Sequence, residues 1–180
     1  MSRFISLAFI VTVVVPGFSQ EKDLESAWKR NRVLVAIGHM GVGQGIDVDG
    51  NRSWLSIPVW MIDYDYSLTR KWTLGVHNDI ITESFKVEGF FLGEETETIE
   101  REKPIATLLV VSYKPGEHAV YSIGNGGEFS SSGNYFLTQV GFEYGFELPG
   151  EWELSPALAY DLKWNAYDSF SISLGVGKKF

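Results

Sequence analysis

The sequence predicts an all-β protein, an eight-stranded antiparallel up-and-down transmembrane β-barrel. Three observations carry that prediction. Apolar and polar side chains alternate through the last three predicted strands, tight and long connections alternate along the chain, and aromatic residues gather at both strand ends.

Composition agrees. Of 180 residues, 14% are aromatic and 19 are Gly, which favours strands and turns over helices. Cys is absent, so disulfides, thiolate metal sites and lipid attachment at a cysteine are excluded. The formal net charge is −8 and no basic patch is visible, which argues against a nucleic-acid partner. A mean hydropathy of −0.02 is compatible with a membrane location, because barrel strands hide their apolarity in alternation.

The chain opens with an export pattern. Arg3 supplies a positive start, residues 4–15 are apolar, Pro16 breaks the run, and Gly17 and Ser19 precede a cut before Gln20. Residues 1–19 are therefore expected to be a signal peptide. The apolar run is short beside the roughly 20 residues of a spanning helix, and a retained anchor is the alternative. Residues 20–31 are expected to be a polar N-terminal periplasmic tail, and residues 32–180 the barrel.

Eight strands are expected, over residues 32–45, 54–68, 72–87, 104–113, 118–129, 134–148, 151–164 and 167–180. The second and third join tightly around "TRK", the fourth and fifth around "KPGE", and the sixth and seventh around "LPGE", where Pro-Gly pairs suit turns. The connections at the other end are longer, above all "EGFFLGEETETIERE", with only the link between the seventh and eighth strands short. In that loop Phe90, Phe91 and Leu92 lie beside five glutamates, as a solvated acidic hairpin or as a surface contact for a partner. Short turns at one end and longer loops at the other match a membrane barrel, with both termini at the short-turn end.

The faces sort by parity. Phe136, Val140, Phe142, Tyr144 and Phe146 share one face of the sixth strand, and Gln139, Gly141, Glu143 and Glu147 the other. In the seventh, Trp152, Leu154, Leu158, Tyr160 and Leu162 oppose Glu153, Ser155 and Asp161. In the last, Phe170, Ile172, Leu174 and Val176 oppose Ser169, Ser171, Ser173 and Gly175, and Phe180 closes the apolar face. The fourth strand, "PIATLLVVSY", is apolar on both faces. Alternation fits either a membrane barrel with the apolar face outward or a soluble periplasmic lipocalin-like barrel with that face around a ligand. The aromatics favour the membrane solution. Trp54, Phe85, Phe129, Phe136, Trp164 and Phe170 fall at the loop end, and Tyr64, Tyr66, Trp72, Tyr113, Phe146, Trp152 and Phe180 at the turn end, as two girdles. Pro58 and Pro156 each remove a ladder donor and require a bulge or a local break.

With apolar faces outward, the lumen is expected to receive His39, Asp63, Asp65, His77, Asp79 and Glu83, together with Glu128, Glu143, Glu147, Glu153 and Asp161. The "TRK" turn sets Asp63 opposite His77. Two chemistries fit these groups: a buried hydrogen-bonded network, or a cation held by His39, His77, Asp63 and Asp79. Few Lys or Arg are expected on the lumen face. The spacing matches no metal motif, and no metal or cofactor is assigned. A barrel hydrolase would need a nucleophile, a base and an orienting acid together. No histidine has a Ser two residues away on its own strand face, so the deciding feature is any Ser within reach of a histidine on the membrane-facing side. Eight strands leave an interior just wide enough for side chains, which excludes a wide pore.

The export pattern, the eight strands and the closing "SISLGVGKKF" resemble the small outer-membrane β-barrel family of Gram-negative bacteria. The resemblance implies an outer-membrane location and a C-terminal strand read by the barrel-assembly machinery, with Ile172, Leu174, Val176 and Phe180 as the alternating signal. Lys178 departs from the family pattern, which usually has an aromatic or apolar residue there. Such barrels include adhesins, scaffolds, narrow pores and lipid-modifying enzymes, so membership does not dictate one activity. The expected role is structural or surface-binding through the loops, non-catalytic and monomeric, with outer-membrane lipid and lipopolysaccharide as surroundings. The alternatives are a lipid-modifying barrel enzyme, a cation-binding or narrow-pore barrel, and the soluble periplasmic barrel.

Overall fold

The computed structural model describes residues 28–89 and 98–180. The export segment, most of the tail, and Phe90, Phe91, Leu92 and the glutamates at 94–97 lie outside the described residues. The strands are β1 (Asn31–Ile46), β2 (Arg52–Ser67), β3 (Trp72–Ile81), β4 (Phe85–Glu88), β5 (Thr98–Arg101), β6 (Ile105–Tyr113), β7 (Ala119–Ser130), β8 (Gly133–Tyr144), β9 (Phe146–Leu148), β10 (Trp152–Lys163) and β11 (Asp168–Lys179). Eight of them close the barrel in the order β11-β10-β8-β7-β6-β3-β2-β1, with β1 pairing back to β11. The last strand zips along the first from Arg32↔Lys179 to Gly41↔Phe170. Phe180 continues the zip, exchanging backbone bonds of 2.9 and 3.1 Å with Asn31.

Apolar residues line the outer wall. Val33, Val35, Ile37, Trp60, Ile62, Leu109, Val140, Leu158, Ile172 and Leu174 are exposed, whereas Asp63, Asp65, Glu128, Glu153, Asp161 and Lys163 are buried inside. A water-soluble barrel would reverse this distribution. Lipid is the solvent that suits an apolar belt of this extent. The two apolar faces of "PIATLLVVSY" meet different surroundings. Ile105, Leu109 and Val111 face outward, while Ala106, Leu108 and Val110 pack inside against Leu137.

The expected strand over 72–87 is divided. β3 ends at Ile81, and the chain bends away and returns as β4, which pairs with Gly45 and Ile46 of β1. Gly45 and Ile46 also pair with β2, so β4 takes the edge of β1 that β11 occupies lower down. The β4–β5 hairpin therefore crosses the barrel mouth. Pro58 explains the departure point. It faces Thr82, accepts that residue's N–H at 3.4 Å, and has no N–H to return, so the β2–β3 ladder stops there. Pro156, opposite Tyr144 and likewise without an N–H, marks the gap that separates β8 from β9. Phe85, Val87 and Ile99 of the hairpin are buried with Met40, Val42 and Tyr167 and form an apolar plug. Phe85 belongs to this plug and not to a girdle, and its ring meets Tyr167 edge-on at 5.8 Å.

Candidate functional site

The lumen holds two polar networks. In the turn-end half Arg32 is the hub. Its Nη1 donates to Asp65 at 3.0 Å, and its Nη2 donates to Glu143 and lies 2.9 Å from Glu153. Lys179, on the closing strand, reaches the other oxygen of Glu153 at 2.8 Å. One carboxylate thus ties the first and last strands together. Asp63 pairs with His77 across β2 and β3, as the turn requires. The closer partner of His77 is Asp65, at 3.1 Å against 3.9 Å for Asp63. Gly75 makes that contact possible, because a Cβ there would lie 2.2 Å from Asp65 Oδ1. Lys114, just beyond β6, is held below the usual lysine range by burial and by the like charge of Lys179.

In the loop-end half the hub is Glu128. Arg101, delivered by the hairpin, donates to it through Nε at 2.8 Å, and Arg101 Nη2 lies 2.7 Å from the same oxygen, off the hydrogen-bond direction. Both side chains are 0% exposed. Tyr167 donates its hydroxyl to Glu128, Arg101 Nη1 donates to the Gly133 carbonyl at 2.8 Å, and the guanidinium covers the Tyr135 ring at 4.7 Å. Lys163 joins Asp161 at 3.2 Å, Ser169, and more distantly Glu128, while Gln139 donates to Asp161 at 2.9 Å.

Free space narrows steadily between the two networks. A vestibule of about 670 Å³ opens at the turn end between Arg32, Lys114, Glu147 and Lys179. Beyond His77 it gives way to about 60 Å³ around Asp63, His77 and Asp79, and then to about 10 Å³ between Asp79, Glu128, Asp161 and Lys163. The middle space suits a few waters, which would serve the buried Asp63 Oδ1, without a partner among the described residues. The hairpin closes the far end.

Two expected lumen residues are elsewhere. His39 stands on the outer wall, because β1 turns Leu34, Ala36 and Met40 inward and Val33, Val35 and Ile37 outward. Glu83 is exposed in the bend between β3 and β4. His39 is thus separated from His77 by the barrel wall. Among the described residues no three His, Asp or Glu groups converge as a metal site. The same parity brings Arg32 inside. With Arg101, Lys163 and Lys179 it supplies the counter-charge that the sequence was not expected to place there. The odd positions Lys163 and Lys179 were readable from the parity of β10 and β11. Arg101 was not, since it enters across the mouth. On the outer wall His39 Nδ1 lies 3.1 Å from Ser56 Oγ, a serine–histidine contact on the membrane-facing side.

No protein-family model and no curated protein matches the sequence. Solved structures do. The chain is similar to the N-terminal β-barrel domain of Pseudomonas aeruginosa OprF (TM-score 0.54, 13% identity, covering 84% of this chain and 98% of that one). It is similar also to Ail, the attachment invasion locus protein of Yersinia pestis (TM-score 0.51, 13% identity, covering 84% and 99%). At these identities the likeness is one of fold, and it agrees with the closed strand order and the outward apolar belt: the chain has the fold of the small eight-stranded outer-membrane β-barrels.

Proposed function

We propose that the protein is a non-catalytic outer-membrane barrel with a structural or surface-binding role carried by its loop end, and that its lumen does not conduct. The sealed mouth is the observation that carries this. Phe85, Val87 and Ile99 fill it, and the Arg101–Glu128 pair fixes the hairpin in place. What the molecule then offers its surroundings is an apolar wall and an exposed loop end bearing Asp49, Glu83, Glu100 and Glu102. Exposed carboxylates suit contact with a basic partner or with lipopolysaccharide through bridging cations. Outer-membrane lipid surrounds the wall, and the barrel-assembly machinery reads the outward row Ile172, Leu174, Val176 and Phe180.

A hydrolase would add an acid that orients the histidine. Among the described residues no carboxylate lies within ion-pair distance of His39, and His77 contacts only carboxylates. The test is ion flux. Barrels folded into phosphatidylcholine vesicles are expected to pass no more potassium than protein-free vesicles. A chain with residues 85–101 replaced by a short Gly-Ser link is expected to leak. Potassium flux through the unmodified barrel would overturn the sealed-lumen proposal.

A further inference from the structure

The outer wall carries a groove of about 650 Å³ across β2, β1, β11 and β10, walled by Ile37, Trp60, Pro156, Ile172 and Leu174. His39 lines the same groove. From Asn31 to His39, β1 climbs about 20 Å, at ~3.3 Å per residue and a strand tilt of ~40°. That places the histidine in the loop-end half of an apolar belt about 25 Å tall. A polar ring at that depth has no water to bond with.

Other polar groups on the wall find partners within the protein. Asn78 donates to the Ile62 carbonyl at 3.2 Å and accepts from Thr107 at 3.0 Å. Thr138 bonds Asn125 at 2.8 Å and receives the Trp164 indole N–H at 3.0 Å. Among the described residues His39 bonds Ser56 alone, through Nδ1 at 3.1 Å, and none of them partners Nε2. A neutral imidazole that accepts the Ser56 hydroxyl proton at Nδ1 carries its own N–H at Nε2, ready to donate. Around this donor lies hydrocarbon-lined space that is continuous with the lipid-facing belt.

We propose that this groove is a specific site for one acyl chain of an outer-leaflet lipid. The chain lies between Ile37 and Leu174, and its carbonyl linkage accepts a hydrogen bond from His39 Nε2. Ser56 holds the ring in the orientation that presents that nitrogen. The site binds and does not cleave, because no carboxylate among the described residues backs the histidine. It is independent of the role of the loop end.

Native mass spectrometry of the whole barrel tests it, with phosphatidylethanolamine carrying two palmitoyl esters and with the ether-linked analogue that has no carbonyl. The protein is expected to retain one ester lipid on the order of tenfold more strongly than the ether lipid, the loss that follows from one missing hydrogen bond. His39→Leu is expected to abolish the preference and Ile37→Trp to abolish retention. Cold-SDS gel mobility shows whether each variant is folded. Should either fail to fold, Ser56→Ala tests the same ring and is expected to weaken the preference. Equal retention of ester and ether lipid by the unmodified protein, or an unchanged preference in folded His39→Leu, overturns the proposal. Release of palmitate over time also overturns it, in favour of cleavage.

Discussion

Arg101→Met isolates the pair that locks the hairpin. Arg101 and Glu128 are both 0% exposed, so the substitution strands a carboxylate in the protein interior. Removing one partner of a buried pair costs roughly 3–5 kcal/mol. The lower end applies here, because Tyr167 still donates to Glu128 and Lys163 stands 3.9 Å away. Loss of the contact over the Tyr135 ring adds about 1 kcal/mol, for a total of about 4 kcal/mol. Urea titration of the barrel folded in phosphatidylcholine vesicles, followed by Trp emission and cold-SDS mobility, reads this value. The double variant Arg101→Met with Glu128→Gln removes both charges and leaves Tyr167 a neutral acceptor. It is expected to recover at least about 2 kcal/mol of the loss. A single variant within about 0.5 kcal/mol of the parent, or a double variant as costly as the two single changes added, would refute the assignment of Arg101 as the lock.

Three further outcomes follow from named contacts. Gly75→Ala sets a Cβ 2.2 Å from Asp65 Oδ1, so the Asp65–His77 contact should break at a cost of about 1–3 kcal/mol, read by the same titration and by a change in the His77 ring NMR shifts. Glu153→Gln weakens contacts to both Arg32 and Lys179, and refolding yield into vesicles should fall together with stability by about 2 kcal/mol; an unchanged yield would separate this network from barrel closure. Pro156→Ala restores a ladder donor facing Tyr144 and should stabilise by up to about 1 kcal/mol, with slower amide exchange at residue 156 than at its unpaired neighbours as the check.

The parity of the last three barrel strands was legible because each has one clearly apolar row. In β11 the row from Phe170 to Val176 faces lipid, and the Ser and Gly row packs inside. Gly175 is small for a reason: a Cβ there would lie 2.9 Å from Leu34. The Asp63–His77 pairing was legible from the turn alone, since an antiparallel register is set by its hairpin. In β1 both rows are apolar, Val33, Val35 and Ile37 against Leu34, Ala36 and Met40. Parity there depends on which row meets the plug, and the plug comes from a hairpin far along the chain. A wrong parity moves every side chain of a strand at once, so the reading that puts His39 inside also leaves Arg32 out of the lumen. The candidate site was therefore readable on β2 and β3 and unreadable where β1 and Arg101 complete it.

The plug also explains why this small lumen is apolar at one end and charged at the other. Pro58 cannot hold residue 82 in the ladder, so β3 is released at the mouth and the chain re-enters as β4 along the free edge of β1. Once the hairpin crosses, its inward residues need an apolar bed, which Met40, Val42, Ile57 and Val59 provide. Its buried charge among the described residues, Arg101, needs a carboxylate, which Glu128 provides from the opposite wall. At the turn end no segment among the described residues crosses, the vestibule is wide, and Arg32 and Glu143 pair while partly exposed. The position of a single proline on β2 thus decides at which end the hairpin closes the barrel and which half of its interior keeps the larger free volume.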